Sequence, residues 1–180
     1  KSDNNIFMRV EGGDWGLASN SIHMLDLFAF LTGETQLAID ASGLDVKIYR
    51  SKRKDFIELG GRLEASSNRG DHLILIDEKK SRKATLQQVA SDNYRYFINQ
   101  SKGKVVCCHK KNGWKKKEGV FSAPQQSELT HLIVQQIMDS GESYLTSLKE
   151  SFLLHKPMLD AFNTHLTSVV GKKYEVCPIT

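Results

Sequence analysis

Residues 12–34 have the sequence GGDWGLASNSIHMLDLFAFLTGE. A glycine-rich turn here leads into a segment of mostly apolar residues, which predicts a helix that is buried on most sides. Within it Asn20, His23 and Asp26 recur every three residues, and this spacing places neighbouring members on adjacent turns of one helix face. A polar group buried among apolar side chains needs a hydrogen-bonding partner. The polar row is therefore either a closed structural network or the wall of a functional site.

The same segment resembles a family motif. Gly13, Leu17, His23 and Asp26 look like the Gly-Gly-Gly-x-Leu-x-Asp-x-Gly-x-His-x-x-Asp signature of the Gfo/Idh/MocA oxidoreductases. That signature opens the second domain of NAD(P)-dependent sugar and polyol dehydrogenases. The resemblance covers the whole chain, but only the first helix is specific. It implies that the chain is a substrate-binding and oligomerisation domain.

Two positions depart from that signature. Ser19 stands where the family has an aspartate, four residues before the histidine, and Ser21 stands where it has a glycine. In the family the aspartate often contacts substrate or assists proton transfer. Asn20 can supply a hydrogen-bonding group nearby, but an amide cannot act as a base at neutral pH.

His23 is the predicted catalytic residue. An imidazole can exchange a proton with an alcohol near neutral pH, and Asp26, one turn on, could hold the other ring nitrogen. The predicted substrate-binding residues are Asn20, Asp26, Ser19 and Trp15, the last because an indole can stack on a sugar. The structural alternatives are a His–Asp pair that ties a buried helix to a strand, and a Trp15 that is simply packed.

Composition indicates a single compact domain spanning residues 1–180. The chain has 39% hydrophobic residues, enough for one core, and no run of 18 apolar residues that could span a membrane. The N-terminal KSDNNIF shows no signal-peptide pattern. Cys107, Cys108 and Cys177 lack the spacing of a disulfide framework or a zinc site, so we predict no metal site and a reducing, cytoplasmic location.

Strand-like and helical patterns divide the chain. Strand patterns occur over residues 6–10, 37–49, 56–65, 72–77, 84–89, 94–99, 105–109 and 114–121. Asn112-Gly113 predicts a hairpin with a type I′ turn. Helical spacing follows over residues 127–140 and 144–170, the second with Leu145, Leu148, Phe152, Leu159, Phe162 and Leu166 on one face and with Pro157 expected to bend or divide it. The order predicts an α+β fold: an open, mostly antiparallel β-sheet with helices packed on one face.

No Gly-x-Gly-x-x-Gly follows a predicted strand, and no Walker-type loop is present. With the resemblance, this implies that the nucleotide-binding Rossmann domain and its catalytic lysine are absent from the chain. NAD or NADP is expected in the full-length protein, no cofactor is expected to bind this chain, and the isolated chain is expected to be inactive.

Seven lysines crowd the predicted hairpin around Trp114: Lys102, Lys104, Lys110, Lys111, Lys115, Lys116 and Lys117. A basic patch with an aromatic residue is found at polyanion sites, whereas edge lysines also discourage strand-to-strand aggregation. Because the net charge is only +4, we favour the second interpretation and do not expect nucleic-acid binding. Two functional classes stay open: the domain of a sugar-alcohol oxidoreductase that forms a homodimer through its sheet, and a non-enzymatic dimerisation or polyanion-binding module.

Overall fold

The computed structural model describes residues 5–179, so residues 1–4 of the N-terminal segment and Thr180 lie outside it. In the described part the chain forms β1 (Phe7–Gly13), α1 (Leu17–Thr32), β2 (Leu37–Asp40), β3 (Tyr49–Arg50), β4 (Ile57–Glu58), β5 (Gly61–Ser67), β6 (His72–Glu78), β7 (Leu86–Ala90), β8 (Tyr94–Asn99), β9 (Lys104–His109), β10 (Lys116–Val120), α2 (Gln126–Ser140) and α3 (Leu148–Val170).

Eight of these strands form one open sheet in the order β10-β9-β8-β7-β1-β6-β5-β2. Strand β1 pairs in parallel with β6, and the other neighbours in the sheet are antiparallel. Strands β3 and β4 form a separate two-stranded ribbon. The predicted α+β class, with an open and mostly antiparallel sheet, is confirmed.

Two predicted strands are each split in the structure. Residues 37–49 contribute β2 and β3, with a turn between them in which Leu44 N donates to Ala41 O. Residues 56–65 contribute β4 and part of β5, and the break falls at residues 59–60, just before Gly61, the first residue of β5, where φ is +92°. Left-handed backbone of this kind interrupts a strand and favours glycine. As a result, β3 and β4 form a ribbon separate from the eight-stranded sheet.

The predicted hairpin between β9 and β10 is present, but its turn is not the predicted one. Lys110–Asn112 form a single 3₁₀ turn, and the residues with positive φ are Gly113 (+62°) and Trp114 (+61°) rather than Asn112 and Gly113. A type I′ turn needs positive φ at both central residues, so the connection is a longer loop.

The core lies between one face of the sheet and helices α1 and α3. Every second residue of the strands contributes to this core, because successive side chains point to opposite faces of the sheet. Helix α3 contributes one residue per turn. Buried residues of this core include Met8, Val10, Leu25, Phe28, Leu63, Leu73, Leu75, Leu154, Met158, Phe162 and Leu166.

The outer helices are less buried than their sequences predict. Helix α3 runs through Pro157 without interruption, and its buried row contains Phe162 and Leu166 as predicted. Leu148 and Phe152 are instead exposed, as is Leu145 in the segment before the helix. None of the side chains of α2 is buried, so α2 does not belong to the layer packed on the sheet.

Helix α1 is buried or half-buried at every position except those of His23 and Phe30. Its buried residues include Leu25 and Phe28, whereas Phe30 is 84% exposed and His23 is exposed. The prediction of a helix buried on most sides therefore agrees with α1 except at the positions of His23 and Phe30. Sheet and α3 cover one side of α1, and the row that carries His23 lies at the protein surface.

Two further properties concern the described residues as a whole. Across residues 5–179, no helix has both the length and the apolar character needed to cross a membrane. The same residues hold no group of three or more His, Cys, Asp or Glu side chains placed to bind a metal ion. All three cysteines carry free thiols.

A candidate active-site cleft at the start of helix α1

A cleft of about 710 Å³ opens beside the first turns of α1. It is lined by Trp15, Ser19, Asn20 and His23, four of the five site residues predicted from the sequence. The remaining cleft residues come from the turn before α1, the β3–β4 ribbon and the segment after β6. They are Asp14, Gly16, Tyr49, Arg50, Ser51, Lys52, Arg53, Glu58 and Lys79.

The turn into α1 depends on Gly16, which has φ +81° in the left-handed region. A Cβ at this position would lie 2.9 Å from both Asn20 Nδ2 and Ser19 Oγ. Asn20 Nδ2 donates to Trp15 O at 2.8 Å and to Gly16 O at 3.1 Å. The amide nitrogen of Asn20 therefore holds the turn in place, and its carbonyl oxygen is the atom that can serve a ligand in the cleft.

Two carboxylates accept hydrogen bonds from the backbone amides at the start of α1. Asp77 Oδ2 accepts from Gly16 N at 3.1 Å and Leu17 N at 3.0 Å, while its Oδ1 accepts from Trp15 N at 3.3 Å. Such amides have no partner within the helix. The Asp77 side chain is fully buried, so these bonds are shielded from water.

Glu58 of β4 completes this cap. Its Oε1 accepts from Ser19 N at 2.9 Å and its Oε2 accepts from Ala18 N at 3.3 Å. Negative charge is stabilised at a helix N-terminus by the helix dipole. The two carboxylates thus attach the β3–β4 ribbon and the end of β6 to the same helix end.

Lys79 joins both carboxylates. Its Nζ donates to Asp77 Oδ2 at 2.8 Å and to Glu58 Oε2 at 3.4 Å, and its side chain is only 8% exposed. Burial by itself lowers the pKa of Lys79, but the hydrogen bond and charge of Asp77, with those of Glu58, outweigh burial and leave this pKa raised. The cleft therefore contains an ammonium group that stays charged.

Tyr49 lies next to this ammonium group, with Lys79 Nζ 5.6 Å from its ring centroid. Its hydroxyl donates to Asp45 Oδ2 at 3.2 Å. Burial and the neighbouring Asp45 carboxylate raise the pKa of Tyr49, so the phenol stays neutral and can donate or accept a hydrogen bond.

His23 and Asp26 do not form the pair expected from their spacing. His23 lies at the cleft surface, and no hydrogen bond connects it to Asp26 among the described residues. Asp26 Oδ1 instead accepts from Thr146 Oγ1 at 2.6 Å, outside the cleft. The reason is that α1 is not enclosed, so the segment before α3 reaches Asp26 from the other side. The imidazole of His23 is thus exposed to any ligand in the cleft.

Trp15 is both packed and part of the cleft. Its indole Nε1 donates to Ile76 O at 2.8 Å, which fixes the ring against the sheet. Ser151 and His155 lie four residues apart on α3. They bond to each other and do not line the cleft.

The sequence prediction missed Glu58, Asp77 and Lys79. Glu58 and Asp77 lie on strands far from α1 in the chain, Lys79 directly follows β6, and no spacing relates them to His23. One signal was available for Asp77, because an aspartate at the carboxyl end of a strand beside a glycine-rich turn can cap the helix that follows that turn.

No family model matches this sequence, and no curated protein matches it. Several solved structures are similar to this chain. A mutant of a 3-ketoreductase from Actinomadura kijaniata, in complex with TDP-benzene and NADP, is similar with a TM-score of 0.62 and 14% identity, over 89% of this chain and 52% of that one. A UDP-N-acetylglucosamine 3-dehydrogenase from Acidithiobacillus ferrooxidans has a TM-score of 0.61 and 11% identity, over 84% and 51%.

A Gfo/Idh/MocA family oxidoreductase from Vibrio cholerae is also similar, with a TM-score of 0.55 and 16% identity, over 92% of this chain and 54% of that one. The chain thus spans about half the length of each of these proteins. At these identities the similarity concerns the fold. The fold of this chain is therefore similar to about half of a Gfo/Idh/MocA family oxidoreductase.

Proposed function

We propose that this chain is the C-terminal substrate-binding and dimerisation domain of an NAD(P)-dependent oxidoreductase that acts on a sugar, polyol or nucleotide-sugar alcohol. One observation carries the proposal: the cleft at the start of α1 gathers His23, Asn20, Ser19 and Trp15 with the buried ammonium group of Lys79. The similar structures support it, because they are oxidoreductases and two are named for work on a 3-keto or 3-hydroxy position.

The start of α1 does not fit the dinucleotide itself. A helix N-terminus binds a pyrophosphate through free backbone amides. At the start of α1, however, these amides are engaged by Asp77 and Glu58. In the proposed enzyme, NAD or NADP is therefore held outside this chain, as it is when a separate Rossmann domain carries it.

The chemistry proposed for this chain is binding and proton transfer. Asn20 Oδ1 accepts a hydrogen bond from a substrate hydroxyl, and the Trp15 ring packs against the sugar. When the alcohol is oxidised, NAD or NADP held outside this chain would accept the hydride from the carbinol carbon, while His23 takes the hydroxyl proton and returns it in the reverse direction. Lys79 acts indirectly, because its bonds to Asp77 and Glu58 position the start of α1 beside the substrate.

The dimerisation role is proposed for the sheet face opposite the core. The strand register places apolar side chains on this face, among them Phe7, Ile74, Ile76, Leu86, Phe97 and Val106. Leu86 and Phe97 are each 45% exposed. An apolar patch on a sheet that is covered on one side only is a common site of association.

A turnover assay on the full-length protein tests the function. Reduced cofactor is measured after NAD or NADP is mixed with neutral polyols, free sugars and nucleotide sugars. The proposal expects oxidation of at least one of these classes. A protein that is loaded with cofactor and oxidises none of them would refute it.

A further inference from the structure

A second group of cations lines the cleft beyond Lys79. The loop of residues 51–56 joins β3 to β4, and Arg50, Lys52 and Arg53 at and within it face the same cleft as His23. Arg50, Lys52 and Arg53 are exposed. Three basic side chains thus form part of the wall of a cleft whose other residues suit a sugar.

The loop is ordered by its own hydrogen bonds. Ser51 N donates to Phe56 O at 3.1 Å, and Arg53 N donates to Ser51 Oγ at 3.4 Å. Ile57, just after the loop, is tied through its backbone N–H to Pro178 O at 2.9 Å. The positions from which the basic side chains project are therefore set before any ligand binds, which lowers the entropy cost of binding.

The charges of this loop have no acidic partners. Among residues 5–179, no ion pair involves Arg50, Lys52 or Arg53. Lys79, by contrast, is already paired with two carboxylates. The acidic residues that line the cleft are Glu58 and Asp14, and Glu58 is already paired with Lys79. Asp14 is therefore the one remaining carboxylate beside the three cations. The loop side of the cleft is therefore positive and free to pair with an anion.

We infer that the substrate carries a phosphate or diphosphate group, which Arg50, Lys52 and Arg53 bind while its sugar hydroxyl lies at His23. This inference rests on the proposed function and narrows it, because free sugars and polyols have no such group. One guanidinium group can donate hydrogen bonds to two oxygens of the same phosphate, and it stays charged at every physiological pH. A cleft of about 710 Å³ is also within the size range of small-molecule sites.

The lysine hairpin of β9 and β10 offers more positive charge but a poorer site. Every residue of β10 is exposed, and none of these lysines lines the cleft. Trp114 of this hairpin is engaged by Arg95, whose guanidinium carbon lies 4.8 Å from its ring centroid. Lys110 and Lys111 of this hairpin therefore serve as the matched control, because together they carry the same charge as Arg50 and Arg53 but do not line the cleft.

Calorimetric titration of this chain with inorganic pyrophosphate tests the inference. The wild type is compared with Arg50→Gln/Arg53→Gln and with Lys110→Gln/Lys111→Gln, which removes the same charge from the hairpin. We expect the loop variant to lose at least about tenfold in affinity for each phosphate contact removed. The hairpin variant should bind like the wild type. Absence of binding to the wild type, or equal losses in both variants, would overturn the inference.

Amide NMR shifts of the wild-type chain provide a test that needs no variant. Pyrophosphate should shift the amides of residues 51–56, and glucose should shift those around Asn20 and His23. If glucose shifts its set while pyrophosphate leaves the loop unchanged, the phosphate inference is wrong and the proposed function stands. If pyrophosphate shifts the loop while the turnover assay of the full-length protein fails, the loop binds phosphate as inferred and the error lies in the proposed function.

Discussion

Lys79 and Asp77 lie two positions apart at the end of β6, and the Lys79 Nζ donates to Asp77 Oδ2 across 2.8 Å beneath the first turn of α1. Asp77 accepts from the backbone amides of this turn at the same time. One buried ion pair thus connects the sheet, the helix and the candidate active-site cleft. Its loss should be visible in stability as well as in binding.

Substitution of Lys79 by Met should lower the free energy of unfolding by roughly 1–3 kcal/mol, because it leaves the buried Asp77 and Glu58 carboxylates without their ammonium partner. Lys83→Met is the control. Its ion pair with Glu78 is exposed, so its loss should cost no more than about 0.5 kcal/mol. Urea unfolding of both variants measures the difference. Equal effects would show that the ion pair under α1 contributes no more than a surface pair.

Asp71 should make stability depend on acidic pH. Its buried carboxylate accepts from Ile6 N and Ser67 Oγ, both at 2.7 Å, and pairs with Arg69. Burial raises the pKa of Asp71, but the hydrogen bonds to Arg69, Ile6 and Ser67 outweigh burial and lower it below its ordinary value of 3.8. A lowered pKa contributes stability above the unfolded value, and this stability is lost as the pH falls through the folded value.

The measurement is the melting temperature of wild type and Asp71→Asn from neutral pH to below pH 3.8. The variant should be less stable by roughly 1–3 kcal/mol at neutral pH, and the gap should narrow as the pH falls below the ordinary value. Asp92→Asn, at an exposed position, should follow the wild type throughout. A gap that stays constant with pH would mean that the charge of Asp71 is not the stabilising feature.

The parts of the fold that sequence could predict are those with local causes. Alternating apolar residues gave the strands, and the turn at Gly16 with the apolar run after it gave α1. Burial of whole helix faces was harder to predict, because Phe30, Leu148 and Phe152 have the same spacing as core residues but find no layer above them.

The residues of the candidate site also fall into those that local sequence predicts and those that only tertiary structure brings together. His23, Asn20 and Ser19 could be predicted because they share one helix face. Lys79 and Glu58 could not, since only tertiary structure brings the end of β6 and the β3–β4 ribbon to α1. For the same reason the sequence suggested Asp26 as the partner of His23, whereas folding pairs Asp26 with Thr146.

The isolated chain should bind no nicotinamide cofactor. The amides that could hold a pyrophosphate at α1 are occupied by Asp77 and Glu58. Because the loop of residues 51–56 could bind the diphosphate of a nucleotide by itself, NADH and NADPH are titrated into Arg50→Gln/Arg53→Gln, and calorimetry should give no heat of micromolar binding. Micromolar affinity for either nucleotide would contradict the proposal that the cofactor site lies outside this chain.

Association should occur through the open face of the sheet. Phe97→Lys places a charge in the middle of this face and should convert a dimer into a monomer. Phe30→Lys is the matched control, because Phe30 is 84% exposed but lies on α1, away from the sheet face. Light scattering at tens of micromolar measures the mass of each. A monomeric wild type, or a dimer that Phe30→Lys disrupts and Phe97→Lys does not, would refute this interface.

The central claim is that His23 transfers a proton in the cleft, and turnover of the full-length enzyme tests it most directly. His23→Ala should lower turnover by roughly 10²–10⁴-fold with an unchanged melting temperature, because His23 is exposed. His155→Ala, which removes a histidine bonded locally to Ser151, should retain turnover. Wild-type turnover in His23→Ala, or an equal loss in His155→Ala, would contradict the assignment of this cleft as the active site.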